Sequence, residues 1–248
     1  MENWISQLTE ARQQQRTFSL CTLIKVDGSF GRPVGARMLV FDDGSTQGTI
    51  GGGPVEAEVT KTALNFLKEA KKGMIEMQNP ETGTKLWFFI ETFQPDSELV
   101  IFGAGHLAKA VVYFARKLEF RITVVDERAD MLKDPAFEGI NTQAINHQKF
   151  LKDFEPGPRH FLVLCSHRHD YDFEILGKVL TKPWAYLGMI GNRQKISEAK
   201  TYLIEKRLFD EAAFAKADSP IGIKLPGKTP EIIGLSIAAK LVEVKKPA

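Results

Sequence analysis

Cysteine is scarce in this chain: its 248 residues include only Cys21 and Cys165. Both lie in apolar runs, SLCTLI and FLVLCS, which suits buried thiols in a reducing compartment better than a disulfide. Neither a C-x-x-C pair nor a zinc-type Cys/His spacing occurs, so the usual thiol and zinc signatures are missing. An excess of charge of one sign is also missing. Lys and Arg total 33 against 31 Asp and Glu, and the charges are scattered rather than blocked. No nucleic-acid or membrane surface is indicated, and the expected ligand is neutral or only locally charged. The N-terminus, MENWISQLTEARQQQRTFSL, lacks the basic start and apolar stretch of a signal peptide, so the expected location is cytoplasmic. What is present is ordinary for a globular protein: 43% hydrophobic and 26% charged residues, in a chain long enough for one large or two medium domains.

The most informative stretch is Glu98–Asp126. Leu99–Phe102 is an apolar run that meets the turn Gly103-Ala104-Gly105, a helical pattern covers Leu107–Leu118, and Phe120–Val125 is a second β-branched run ending at Asp126. This predicts a βαβ unit with a Gly-x-Gly-x-x-Ala turn. Gly103 and Gly105 permit close backbone approach, His106 ends the turn, and the first helical N–H groups form a site for a phosphate. Asp126 stands where a dinucleotide fingerprint places its ribose-binding carboxylate. The plainer alternative is that the glycines only shape the turn and Asp126 only ends a strand.

Ahead of this unit, the spacing predicts a helix over Asn3–Gln15, strands over Phe18–Val26 and Ala36–Phe41, and a hairpin joining Met74–Gln78 to Leu86–Ile90. Between them, Gly51-Gly52-Gly53-Pro54 precedes a helix predicted over Val55–Lys71. Successive glycines before a helix with proline in its first turn make a candidate anion cradle of backbone N–H groups, or simply a tight strand-to-helix turn. Glu56 complements the helix dipole in either case. Phe93-Gln94-Pro95-Asp96 reads as the linker, giving a smaller N-terminal α/β domain over residues 1–94 and a second domain over residues 97–248.

Beyond Asp126 the alternation continues with strands over Ile140–Ile145, Phe161–Cys165 and Trp184–Ile190 and helices over Asp172–Leu180, Asn192–Lys206 and Ile232–Val244. Such alternation specifies a Rossmann-like, doubly wound parallel sheet whose ligands gather at the carboxyl ends of the strands. Three clusters fall at those ends: the Gly103–His106 turn, Ser166-His167-Arg168-His169-Asp170, and Gly188–Arg193. His167 and His169 with Asp170 have the composition of a metal loop, but the pattern fits a polar helix start better, and no metal is expected. Arg193, just inside a helix after a glycine turn, suits a phosphate or a surface ion pair. Thr229, Pro230 and Glu231 form a strong start for the last helix.

Taken in order, Gly48–Glu56, Gly103–Ala108, the His167–Asp170 loop, YLGMIGNRQK at Tyr186–Lys195 and SPIG…GKTPEIIGLSIAAKLV at the end resemble the XdhC/CoxI family, the xanthine dehydrogenase accessory factors. The resemblance implies a cofactor chaperone without turnover of its own. Such a protein binds molybdenum cofactor (molybdopterin), shields it from oxidation, assists its sulfuration and delivers it to a xanthine dehydrogenase-type molybdoenzyme. A cysteine desulfurase is a second implied partner and a homodimer the expected assembly, with the last helix packing back on the N-terminal domain. Gly51, Gly52, Gly53 and Glu56 on one domain, and Gly103, Gly105, His106, Asp126, His167 and Arg193 on the other, are the expected cofactor-binding residues, across a cleft between the domains. Two positions depart from the family pattern. Pro54 stands where many relatives carry a cysteine, so no protein thiolate reaches the metal from there. Lys224 and Pro226 stand in a tail loop that is acidic in part of the family.

Two other functions fit parts of the sequence. A nicotinamide-dependent oxidoreductase would use the Gly103–Asp126 unit with NAD, but no evident proton donor and little dedicated catalytic domain accompany it. A nucleotide-sensing module without chemistry is the other.

Overall fold

The computed structural model describes residues 4–245 and divides the chain into two compact units, meeting in sequence at Pro95 and Asp96. The first unit contains α1 (Trp4–Gln13), β1 (Phe18–Asp27), β2 (Arg37–Phe41), β3 (Thr46–Gly48), α2 (Gly53–Glu69), β4 (Gly73–Gln78) and β5 (Lys85–Phe93). Its five strands form an antiparallel sheet in the order β3-β2-β1-β5-β4. The period-2 alternation along β1 divides its side chains between two faces. Cys21 and Leu23 join Val55, Val59 and Ala63 of α2 in one core, while Phe18 and Leu20 join Phe41 and Ala11 of α1 in the other. Asn3, the first residue of the helix expected from sequence, lies outside the described residues.

The second unit contains β6 (Ser97–Phe102), α3 (His106–Ala115), β7 (Phe120–Val125), α4 (Ala129–Leu132), β8 (Asn141–Gln143), α5 (His147–Asp153), β9 (His160–Leu164), α6 (His169–Val179), β10 (Tyr186–Met189), α7 (Arg193–Glu205), α8 (Glu211–Lys216) and α9 (Pro230–Val244). Its sheet is parallel throughout, in the order β10-β9-β6-β7-β8. The chain therefore winds outward from β6 in both directions, and the order reverses between β6 and β9. A doubly wound sheet leaves its crevice at the carboxyl ends of those two strands. Alternate residues serve the two faces: Leu99 and Ile101 pack with Ala108, Val111 and Val112 of α3, whereas Val100 and Phe102 pack with Ile175 and Leu176 of α6 and Leu203 of α7.

The last helix, for which the sequence suggests packing on the N-terminal domain, buries its face against α3 of the second unit. Ile237 and Leu241 of α9 are fully buried in the α3 core. The two helices approach closely because Gly234 faces Ala110: a Cβ at 234 would lie 2.7 Å from the Ala110 Cβ and 2.9 Å from its carbonyl carbon. Lys245 then donates to the Leu118 and Glu119 carbonyls at 2.7 and 3.1 Å, capping α3 from the end of α9. Gly234→Val is accordingly expected to lower stability by about 1–3 kcal/mol, the usual cost of overpacking, as a fall in the urea midpoint. A midpoint equal to that of the wild type would show that α9 does not dock through this contact.

Candidate functional site

In the first unit, the glycine loop is closed from inside by its own helix. Glu56, in the first turn of α2, accepts through Oε1 from the Thr49 hydroxyl at 2.6 Å, Gly52 N at 2.8 Å and Ile50 N at 3.0 Å. The sequence suggests a cradle of N–H groups for an external anion. Two of those groups already hold an internal one. Burial pushes the Glu56 carboxyl up, but the Thr49 hydroxyl and the Gly52, Ile50 and Gly51 amides outweigh it and hold the group below its ordinary value. Gly51 is required by packing, since a Cβ there would meet the Phe30 ring at 2.1 Å. Gly52 and Gly53 have positive φ with nothing near the Cβ position, so their constraint is backbone conformation.

In the second unit, the two glycines of the βαβ turn differ in role. Gly103, with φ +116, would place a Cβ 2.4 Å from the Cys165 carbonyl oxygen, so it allows the ends of β6 and β9 to close on each other. Gly105 has ordinary extended backbone, φ −77, and an added Cβ would meet nothing within 4 Å. It is the N-cap of α3 and supplies no side-chain cap, so the first-turn N–H groups stay open. Nothing inside the protein requires glycine there.

Asp126 behaves unlike a ribose ligand. Its side chain is 2% exposed and accepts four hydrogen bonds: Oδ2 from Ala104 N at 2.8 Å and Arg128 Nη2 at 2.7 Å, Oδ1 from Arg128 N and Nε at 2.9 Å each. An ionised carboxylate offers about four lone-pair positions, so Asp126 is saturated. Burial pushes it up, yet the bonds from Arg128 and Ala104 hold its carboxyl below the ordinary aspartate value.

The structure brings Gly103, Asp126 and His167 to one crevice of ≈ 20 Å³, with Ser166, Tyr171 and His147. That volume holds about one water. His167 is exposed in the crevice lining, whereas His106 is exposed but does not line it. Arg193 opens α7 at an exposed position and does not line the crevice. The His167–Asp170 loop is a helix start, with α6 beginning at His169 and Arg168 as its N-cap. Among the described residues no cluster of three His, Cys, Asp or Glu is placed to hold a metal.

Two further groups escape a reading of the sequence. Lys195 and Asp172 form a buried ion pair at 2.6 Å, with side chains 5% and 0% exposed, and Asp172 also accepts from Ser166 N at 3.0 Å. Burial pushes the Asp172 carboxyl up against the opposing pull of Lys195. His147 escapes because α5 spans only seven residues, too short for periodicity; Asn146, whose side chain accepts from Gln148 N, is the available cap signal.

A model of the XdhC Rossmann domain matches residues 99–241, and one of the XdhC and CoxI family matches residues 11–78. The chain belongs to the XdhC/CoxI family. The motif resemblance and the Rossmann-like fold expected from sequence are both upheld. A relative of similar sequence is the Escherichia coli (strain K12) uncharacterized protein YqeB, 28% identical over 258 residues, covering 99% of this chain and 47% of that protein. A Bacillus subtilis (strain 168) protein named as a probable xanthine dehydrogenase subunit is 21% identical over 182 residues, covering 73% of this chain and 52% of that protein. The chain thus spans about half the length of the curated relatives it matches. A crystal structure described as a xanthine dehydrogenase from Bacillus halodurans superposes with a TM-score of 0.54 at 20% identity, covering 97% of this chain and 95% of that one, which shows a shared fold. No described helix is long and apolar enough to cross a membrane.

Two stability measurements test the roles of the carboxylates. Asp126→Asn removes the charge that Arg128 pairs with and is expected to cost about 1–3 kcal/mol near pH 7. Because the folded value is depressed, this contribution is complete above the unfolded value of about 3.9 and is lost as the pH falls through the folded one. The gap between wild type and variant in urea unfolding should therefore close on acidification below about pH 4; a pH-independent gap would contradict the assignment. Glu56→Ala leaves the amide of buried Ile50 without its acceptor and should also cost about 1–3 kcal/mol. An unchanged urea midpoint would mean that the carboxylate does not organise the loop.

Proposed function

We propose that this chain is an accessory factor of a xanthine dehydrogenase-type molybdenum hydroxylase, binding molybdenum cofactor, sheltering it and delivering it without turnover of its own. Membership of the XdhC/CoxI family supports the accessory role, and the name of the Bacillus subtilis relative supports the class of partner.

The observation that carries the choice of ligand is the contrast between Gly105 and Asp126. The turn is open to a phosphate at the uncapped start of α3, while the carboxylate that would grip an adenine ribose is saturated by Ala104 and Arg128. Molybdenum cofactor as molybdopterin has one phosphate and no ribose, so it asks for the first feature and not the second. The anionic end fits the residues present: the first-turn N–H groups of α3 and His106 would hold the phosphate. The crevice beneath His167 admits no more than an edge group of a fused ring. When bound, the cofactor supplies the metal and dithiolene chemistry that the acceptor enzyme uses. This chain's part is to bind, orient and exclude water. Sulfuration through a cysteine desulfurase and assembly as a homodimer belong to the same proposal.

Mixing cofactor-loaded protein with a cofactor-free xanthine dehydrogenase, against a chase of free cofactor, tests the reading. Hydroxylase activity should appear faster and more fully than with free cofactor alone, and the isolated chain should turn over neither purine nor NAD. Activation no better than with free cofactor, or steady NAD-dependent turnover, would overturn it.

A further inference from the structure

His147 takes no part in the glycine turns or their carboxylates, yet it is 6% exposed and its Nδ1 is buried without a hydrogen-bond partner. Its other nitrogen is engaged. Nε2 lies 2.8 Å from Oε2 of Glu174, which also accepts from the Gln148 side chain at 2.6 Å. Burial pushes the Glu174 carboxyl up, but the bonds from Gln148 and His147 hold it below the ordinary glutamate value. A carboxylate only accepts, so Nε2 carries a proton; in the tautomer that holds this proton alone, Nδ1 is an acceptor.

The ring borders two openings. An outer groove contains Gln148 and Glu174, while the inner crevice contains Gly103, Asp126, Ser166 and His167. Glu174 borders the groove and not the crevice, whereas His147 borders both. Tyr171 packs on it at 4.4 Å between ring centres. Glu127 then ties down both flanks, accepting from the Tyr171 hydroxyl and from the side chain of Asn146, each at 2.9 Å. A buried acceptor held in this way is costly unless a donor reaches it. Asp126, beside it in the crevice, has no capacity left for that donor's neighbours.

We propose that His147 is a recognition residue of the crevice, accepting through Nδ1 a hydrogen bond from an amino or ring N–H group on the edge of a fused heterocycle. A crevice of ≈ 20 Å³ takes one water-sized group, which an amino group matches. The identity of the heterocycle as a pterin rests on the cofactor reading; the hydrogen bond itself does not. Glu174 is a positioning residue, since it fixes the proton on Nε2 and leaves Nδ1 free to accept.

The test uses the full chain with 15N-labelled histidine and two probes, 6-hydroxymethylpterin and guanosine monophosphate. The chain has five histidines, and His147→Phe identifies the signal of interest. On adding the pterin, the Nδ1 signal of His147 should shift. His147→Phe and Glu174→Gln should each weaken pterin binding at least tenfold, about 1.4 kcal/mol. In Glu174→Gln the amide is able to donate to Nε2 and drive the proton onto Nδ1. Phe fills the ring volume and removes an unpaired acceptor, so the urea midpoint should hold; if that variant does not fold, Glu174→Gln carries the test. Pterin binding with a silent Nδ1 and unchanged affinity in the variants overturns the proposal and leaves the cofactor reading standing. A shift with the nucleotide but not the pterin upholds the hydrogen bond and removes the pterin. A signal that moves with neither probe means that Nδ1 serves an ordered water, and the proposal falls.

Discussion

Backbone N–H groups in glycine-rich loops have to find acceptors, and in this protein carboxylates from the following elements provide them. Glu56 reaches back to Ile50 and Gly52, Asp126 to Ala104, and Asp172 to Ser166. A charge-assisted bond from an amide to a carboxylate is about twice as strong as a neutral one, so each loop is fixed before any ligand arrives. The same bonds consume the carboxylates. Residues whose side-chain chemistry alone would suggest ligand contacts are, in the fold, what holds the contact surface in shape.

This separates shape from contact around the second unit's crevice. Gly103 is spent on closing β6 against β9, and Asp126 on fastening Ala104 to Arg128. No neighbour crowds the Cβ position of Gly105, and His147 keeps one nitrogen uncommitted. On the function proposed above, a phosphate-bearing ring would use these unspent groups, whereas the ribose of a dinucleotide would find Asp126 already saturated.

The buried pair of Asp172 and Lys195 gives the opposite face of the sheet a similar fixture. Removing two charges from water is expensive, and the pair is tolerated because its geometry is short and Ser166 N satisfies the remaining carboxylate oxygen. Its effect is to join the starts of α6 and α7, so the loops after β9 and β10 keep a fixed spacing. Gly234 does the equivalent for α3 and α9 by letting their backbones approach.

The sequence by itself determined the strands and helices that are long enough to show a period. The β6-α3-β7 unit, the hairpin of β4 and β5 and the last helix from Thr229 onward are all legible, because their apolar spacing and caps are local. Motif order determined the family. Short elements such as β3, α4, α5 and α8 escaped, since three to seven residues carry too little periodicity. Only the tertiary structure decided which polar residues were free. Whether Asp126 or Glu56 faces a ligand depends on donors that reach it in space, some from its own loop and some from another strand's end. His147 and Lys195 gained their burial only when α5, α6 and α7 packed on the sheet. Hydrogen-bond capacity is a property of the folded surroundings, so the same aspartate is a ligand contact in one fold and a fastener in this one.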